Sequence, residues 1–147
     1  MNANIRERLP KRLYSLTVEL ASRSGTSFLA LVEKTGLSPT QVKTVLALAR
    51  RPDPLSVGDL AELLSLSQPT ASRIAAGLAA RGLLDSEVSP HDRRARRLSL
   101  SDDGHALVGR LTAARVADLR VFTDALSDEE CERLAAGLTQ TELEPVA

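Results

Sequence analysis

Aromatic residues, cysteines and long hydrophobic runs are all scarce in this 147-residue sequence. It has no tryptophan, and aromatic residues make up 2% of the chain, whereas apolar residues make up 43%. The core must therefore be built from leucine, valine and alanine. That composition favours packed helices, because strands prefer β-branched and aromatic side chains. We expect one mainly helical domain of ordinary size.

Other absences argue against whole classes of protein. No apolar run is long enough to span a bilayer, and the charged N-terminus lacks an apolar signal core, so we expect a cytoplasmic protein. The single cysteine, Cys131, cannot form an internal disulfide, and with two distant histidines it does not make a metal site. No phosphate loop, nucleophile elbow or catalytic pairing of histidine with acid is present. We therefore expect neither an enzyme nor a bound cofactor.

The formal net charge is zero, with 19 basic and 19 acidic residues, but the charges are unevenly distributed. Residues 1–66 carry 9 Lys/Arg and 6 Asp/Glu, residues 67–101 carry 6 and 3, and residues 102–147 carry 4 and 10. An acidic C-terminal third therefore conceals a basic remainder. Attraction to nucleic acid depends on which surface is basic rather than on the total charge.

Hydrophobic spacing and helix-capping residues predict a series of helices. A first helical segment covers about Leu9 to Lys34, with a break at Gly25 and an end at Gly36. The next helices begin at Ser38 with a capping box to Gln41, after Ser56 with Asp59 in the first turn, and at Ser67 with Gly82 as terminator. A long helix follows Ser101, and a last one begins at Ser127 and buries Cys131, Leu134, Ala135 and Leu138.

The helix that starts at Ser67 is separated from the preceding one only by Ser65 and Leu66. This spacing predicts a helix-turn-helix, whose second helix can enter the major groove of DNA. Short polar side chains and one arginine lie on the predicted exposed face and can reach base edges and phosphates. The candidate contacts of this helix are Ser67, Gln68, Pro69, Thr70, Ser72 and Arg73.

Residues 83–100 alternate in polarity and predict a β-hairpin with its turn in Ser89-Pro90-His91-Asp92. Four arginines crowd this hairpin, and a basic loop of this kind can enter the electronegative minor groove. The candidate contacts of this predicted wing are Asp92, Arg93, Arg94, Arg96 and Arg97. A helix pair alone can be purely structural, and an arginine cluster alone can be a solvated loop. The DNA-binding interpretation therefore rests on the adjacency of the two features.

The sequence resembles the MarR family of bacterial winged helix-turn-helix regulators. The resemblance runs over about the central half of the chain and is most specific in Asp92-Arg93-Arg94-Ala95 and the following Leu98-Ser99. Earlier matching segments are Gly36-Leu37-Ser38-Pro39-Thr40-Gln41, Leu60-Ala61-Glu62, Ser67-Gln68-Pro69-Thr70-Ala71-Ser72-Arg73 and Ala80-Arg81-Gly82-Leu83. Ser101 stands where the family more often has threonine, which preserves the cap.

The resemblance implies a homodimer that binds a pseudo-palindromic operator in double-stranded DNA and acts as a ligand-responsive repressor. It implies a DNA-binding lobe at residues 37–101 and dimerisation helices at 1–36 and 102–147, with apolar residues such as Leu9, Leu13, Leu16, Leu119, Phe122, Leu134 and Leu138 at the interface. It further implies that Asp92 orients a wing arginine and that Arg94 enters the minor groove. The sequence identifies no small-molecule effector. A winged-helix protein-interaction module is the alternative.

Overall fold

The computed structural model of the chain describes residues 3–23, 27–88 and 96–139. Seven helices and three strands occupy these ranges. The helices are α1 (Ala3–Arg23), α2 (Ser27–Thr35), α3 (Pro39–Ala49), α4 (Val57–Leu64), α5 (Gln68–Ala80), α6 (Asp102–Thr123) and α7 (Asp128–Thr139). The strands are β1 (Leu55–Ser56), β2 (Leu84–Val88) and β3 (Arg96–Leu100). No helix in these ranges is both long and apolar enough to cross a membrane.

The fold is mainly helical with a small antiparallel sheet of order β1-β3-β2, which confirms the predicted fold class. In the hairpin, Leu84 pairs with Leu100 and Val88 with Arg96. Strand β1 was missed from the sequence because two residues are too few to show an alternating pattern. It pairs Leu55 with Leu98 and Ser56 with Arg97.

The chain divides into two compact units. One unit comprises residues 1–31 and 113–147, and the other comprises residues 32–112, so that α2 and α6 contribute to both. The second unit contains the helix-turn-helix and the sheet. Its core consists of aliphatic side chains, of which Val45, Leu60, Ala71, Leu78 and Leu111 are fully buried.

Local capping determines where most helices of the second unit begin and end. The Ser38 hydroxyl accepts a hydrogen bond from the Gln41 amide at 3.2 Å, and the Gln41 side chain accepts one from the Ser38 amide at 2.9 Å, which confirms the predicted capping box. Gly36 and Gly82 have positive φ angles of 62° and 71°, a conformation that glycine adopts without steric cost. Both predicted helix ends are therefore confirmed.

The first helix begins earlier than its sequence pattern predicts. It starts at Ala3 instead of near Leu9 and contains Pro10 in its interior. The predicted start at Leu9 rested on the helical spacing of apolar residues from Leu9 onward. Gly25, the predicted break, and residues 89–92, the predicted turn, lie outside the described residues.

Burial in α3 and α6 does not follow the apolar or polar character of each residue. Thr44 is fully buried although it is polar, and its hydroxyl donates to the Thr40 carbonyl at 2.8 Å, which satisfies it within the helix. Leu46 is only half-buried, while Leu48 is buried. Val116 of α6 is 46% exposed. Hydrophobic spacing thus identified the elements better than the individual core positions.

Helix α7 does not bury the side chains predicted for it. Its cap is as expected, since the Glu130 amide donates to the Ser127 hydroxyl at 3.3 Å and the Ser127 amide donates to the Glu130 carboxylate at 2.9 Å. However, Cys131 is half-buried, and Leu134, Ala135 and Leu138 are exposed. The prediction of a buried face is wrong for the single chain.

A buried carboxylate fixes the start of α2 within the first unit. Asp118 of α6 is only 2% exposed, and it accepts hydrogen bonds from the Phe28 amide at 3.0 Å and the Ser27 amide at 3.2 Å. Burial by itself would raise the pKa of Asp118, but these hydrogen bonds and nearby Arg115 outweigh it and hold the pKa below its usual value. Arg115 also lies 3.9 Å over the Phe28 ring.

The Asp118 contact predicts a specific pH dependence. Because the folded-state pKa is lowered, the carboxylate stabilises the fold above its unfolded pKa of about 3.9, and this contribution is lost as pH falls through the folded pKa. We expect Asp118→Asn to lower the urea midpoint at pH 7 and the difference from wild type to shrink below about pH 4. Asp124→Asn, at an exposed position after the same helix, is the control. Equal effects of the two changes would contradict the role of Asp118.

Gly104 allows the first turn of α6 to lie directly against the end of α5. A Cβ atom at this position would lie 2.3 Å from the backbone oxygen of Leu83, a distance that real Cβ atoms do not reach. The Ser101 amide donates to the same oxygen at 3.2 Å. Backbone contacts on both sides make this approach difficult to relax.

We therefore expect Gly104→Ala to destabilise the protein by about 1–3 kcal/mol, as overpacked sites do. Gly109 lies in the same helix with open space around its Cα, so Gly109→Ala is the matched control and should stabilise by up to about 1 kcal/mol. Urea unfolding at one protein concentration measures both. Stabilisation by both substitutions would show that the Leu83 contact does not constrain the helix.

Candidate nucleic-acid interface

Helices α4 and α5 form a tight helix-turn-helix. The left-handed conformation of Ser65, with φ of 54°, ends α4, and the Leu66 amide donates to the Ala61 carbonyl at 2.8 Å. Ser67 then has extended backbone angles and occupies the N-cap position of α5. The predicted two-residue separation between the helices is confirmed.

The two sides of α5 differ sharply in exposure. Ala71, Ala75 and Leu78 face the core and are at most 4% exposed. The opposite side carries exposed Gln68, Pro69, Ser72 and Arg73 and half-buried Thr70. Helix α5 is therefore held by an apolar stripe and presents short polar groups and one guanidinium to solvent.

Ser67 does not cap α5 in the way the sequence predicts. Its hydroxyl makes no hydrogen bond to a helix backbone amide and instead lies 2.8 Å from the Thr70 hydroxyl. Arg73 donates weakly to the same hydroxyl at 3.5 Å. The reason is local, because Thr70 occupies the third helical position and competes for the serine oxygen, while Pro69 has no amide hydrogen to donate. These three polar side chains form one chain along the exposed side of the helix.

Two glutamines are close to glycines on neighbouring helices. The Gln68 amide nitrogen would lie 3.3 Å from a Cβ atom at Gly58 of α4, and the Gln41 amide nitrogen would lie 3.3 Å from one at Gly77 of α5. The absence of side chains at Gly58 and Gly77 thus makes room for both amides. Sequence reasoning missed these contacts because they join residues of different elements.

The hairpin places two of the predicted wing residues on opposite sides of β3. Arg96 is exposed, and its guanidinium donates to the Ser86 hydroxyl at 3.4 Å across the hairpin. Arg97 is half-buried and donates to the Pro54 carbonyl, just before β1. Asp92, Arg93 and Arg94 lie outside the described residues.

Residues 54–59, which comprise β1 and the first turn of α4, lie close to both the wing and the start of α5. Ser56 and Asp59 form a capping box in which the Asp59 amide donates to the Ser56 hydroxyl at 3.1 Å and the Ser56 amide donates to the Asp59 carboxylate at 3.0 Å. Hydrogen bonds from Ser56 hold the pKa of Asp59 below its usual value, and the positive charge of Arg97 lowers it further. We call residues 54–59 the junction.

The C-terminal end of α5 is anchored by a residue whose role the sequence did not reveal. Arg81 donates to the Gly36 carbonyl at 3.2 Å and to the Thr35 carbonyl at the end of α2. A cation at these carbonyls is favourable because they carry the negative end of the helix dipole. The segment Ala80-Arg81-Gly82 belonged to the predicted motif, but its partner 45 residues away could not be identified locally.

No cluster of three or more His, Cys, Asp or Glu with metal-binding geometry occurs in the part of the chain that the structure describes. His105 is exposed and lines an open cleft of about 430 Å³ formed by the end of α3, the start of α6 and β3. The Cys131 sulfur lies 3.8 Å from the Thr123 carbonyl. His91 lies outside the described residues.

The arrangement of α4, α5 and the β2–β3 hairpin defines a winged helix-turn-helix protein. The model of the MarR family matches residues 35–95, which comprise the helix-turn-helix and most of the wing. This match confirms the resemblance to the MarR family that was predicted from the sequence.

Solved structures similar to this chain support the same fold. A mutant of MepR from S. aureus bound to an oligodeoxyribonucleotide is 24% identical with a TM-score of 0.67, covering 90% of this chain and 94% of MepR. YusO from Bacillus subtilis is 23% identical with a TM-score of 0.69, covering 96% and 99%. A MarR-like transcriptional regulator from Thermotoga maritima is 24% identical with a TM-score of 0.64, covering 95% and 94%.

Proposed function

We propose that the chain is a transcriptional regulator that binds double-stranded DNA in a sequence-specific manner, with α5 in the major groove. The observation that carries this proposal is the exposed polar side of α5, where Gln68, Ser72 and Arg73 project opposite the buried stripe. Such side chains can form hydrogen bonds with base edges and phosphates. MepR, which has the same fold, is known in a structure bound to an oligodeoxyribonucleotide, and this supports DNA as the ligand.

The proposed role of the wing is to supply affinity from the adjacent minor groove. Arg96 is exposed on β3, and Arg93 and Arg94 are close to it in sequence. Lysine and arginine contacts to phosphates release counterions and make binding depend on salt. We assign Arg94 to the minor groove and Asp92 to the orientation of a wing arginine, in keeping with the family resemblance.

We also propose that the chain acts as a homodimer through the unit formed by residues 1–31 and 113–147. Large apolar side chains of this unit are exposed in the single chain, and Ile5, Leu9, Leu13 and Leu138 are each more than half exposed. An apolar surface of this kind is typical of an obligate interface. Two copies related by a twofold axis would present two α5 helices to successive half-sites of a pseudo-palindromic operator.

Repression and release by a small molecule complete the proposal and rest on the family resemblance. A DNA-bound dimer can exclude polymerase from a promoter, and a ligand that prefers the unbound arrangement would lower DNA affinity. Within this proposal the lobe at residues 37–101 binds DNA and residues 1–36 and 102–147 dimerise. A protein-interaction module with the same fold is the competing function, in which the acidic C-terminal third would bind a partner.

DNA binding is tested with a duplex taken from beside the chain's own gene and a shuffled duplex of equal length, over a series of salt concentrations. We expect preference for the first duplex and a steep loss of affinity with salt. Arg94→Ala should weaken binding to both duplexes and reduce the salt slope by about 0.9 for each copy of the chain. Gln68→Ala and Arg73→Ala should instead change which bases are preferred, by about 1–3 kcal/mol per position.

Absence of salt dependence, or equal affinity for the two duplexes, would favour the protein-interaction module. Wild-type affinity in a dimeric Arg94→Ala protein would remove the wing tip from the mechanism.

Dimerisation is tested by placing a charge in the exposed apolar surface of α1. Leu13→Glu should convert the dimer into a monomer, because an unpaired carboxylate would be buried between the two copies. Light scattering during gel filtration measures the mass. Leu63→Glu is the matched control, since Leu63 is an exposed leucine of α4 in the other unit. A Leu13→Glu protein that stays dimeric would place the interface elsewhere.

A further inference from the structure

Arg97 combines the chemistry of a DNA contact with the surroundings of a structural residue. It is one of four arginines in the sequence of the wing, but its side chain is half-buried and donates to the Pro54 carbonyl. Neighbouring Arg96 points to the other side of β3 and is exposed, and among the described residues it donates to Ser86 of its own hairpin. Alternation along the strand therefore separates two arginines that look equivalent in sequence.

We propose that Arg97 is a positioning residue that fastens the wing strand to the junction before α4, and that it does not contact DNA. The inference rests on the proposed function, since it concerns how the two DNA-contacting elements are held together.

Three observations at the junction support this role. Arg97 pairs with Ser56 in the β1–β3 ladder, so its backbone and its guanidinium contact the same short segment. Its positive charge also acts on Asp59, whose carboxylate accepts hydrogen bonds from the Ser56 amide and hydroxyl at 3.0 and 2.7 Å. A guanidinium with a fixed carbonyl partner and a nearby carboxylate is held in one orientation.

The junction also contacts the start of α5. The side-chain amide of Gln68, the first residue of that helix, lies close to Gly58. The wing strand is thus attached to residues 54–59 through Arg97, and the start of the proposed DNA-reading helix lies beside the same segment at Gly58. Loss of the Arg97 contact should let the wing shift relative to α5 without removing any group that touches DNA.

Salt dependence distinguishes a positioning residue from a phosphate contact. We would measure the affinity of full-length wild type, Arg97→Gln and the matched control Arg96→Gln for the operator duplex over a salt series. We expect Arg97→Gln to lower affinity by about tenfold or more at every salt concentration, with an unchanged slope. Arg96→Gln should reduce the slope by about 1.8 for a dimer, which corresponds to about 0.9 for each of two copies.

A reduction of the slope by Arg97→Gln as large as that by Arg96→Gln would overturn the proposal, as would wild-type affinity and slope. If Arg97→Gln does not fold, NMR of the wild-type protein provides the test. The Arg97 side-chain Nε–H resonance should stay in place when DNA is added, while that of Arg96 should shift. A shift of the Arg97 resonance comparable to that of Arg96 would overturn the proposal.

Failure of the proposed function would look different. If wild type bound no duplex, DNA binding itself would be excluded, and a role for Arg97 in DNA binding would fall with it. If wild type binds and only the Arg97 results disagree, the regulator survives and the positioning role does not. Faster exchange of the amide hydrogens that pair β1 with β3 is expected in the DNA-free Arg97→Gln protein, because the loosened strand opens more often.

Discussion

The junction at residues 54–59 carries the capping interactions on which the exposed face of the helix-turn-helix depends. Six residues end the loop after α3, form strand β1 and cap α4. The Ser56–Asp59 capping box satisfies amides that would otherwise be unpaired at the helix start. Because β1 pairs with β3 and Gly58 adjoins Gln68, the same residues hold the sheet and the start of α5. The junction thereby connects the sheet to the helix-turn-helix.

The two units differ in how well they bury apolar residues. With few aromatic residues, each side chain covers little area, and a core must be made from many aliphatic contacts. The unit at residues 32–112 achieves this with fully buried leucines from several helices. The other unit leaves large aliphatic side chains exposed and holds its helices partly by polar contacts such as those of Asp118. A second copy of the chain is the partner we propose for that surface.

Charge is also unevenly distributed along the chain. The zero net charge of the whole chain would disfavour a nucleic-acid partner, but the acidic residues are concentrated after residue 101 and the arginines of the wing precede it. Electrostatic attraction acts locally because salt screens it over about 10 Å at 0.1 M. The acidic C-terminal third is therefore compatible with local attraction of an anionic partner to the basic sequence of the wing.

Local sequence patterns were enough to predict the helix-turn-helix, the hairpin, most helix ends and the family resemblance. Capping boxes, positive-φ glycines and turn residues act over three or four positions, so their effect can be predicted from neighbouring residues. Contacts between residues that are distant in sequence could not be predicted from such local patterns. Asp118 binds amides about 90 residues away, Arg81 reaches carbonyls 45 and 46 residues away, and Gly104 meets the backbone of Leu83. For Arg97, only the pairing of β3 with β1 reveals a partner at Pro54 instead of solvent, because burial depends on which strands become neighbours.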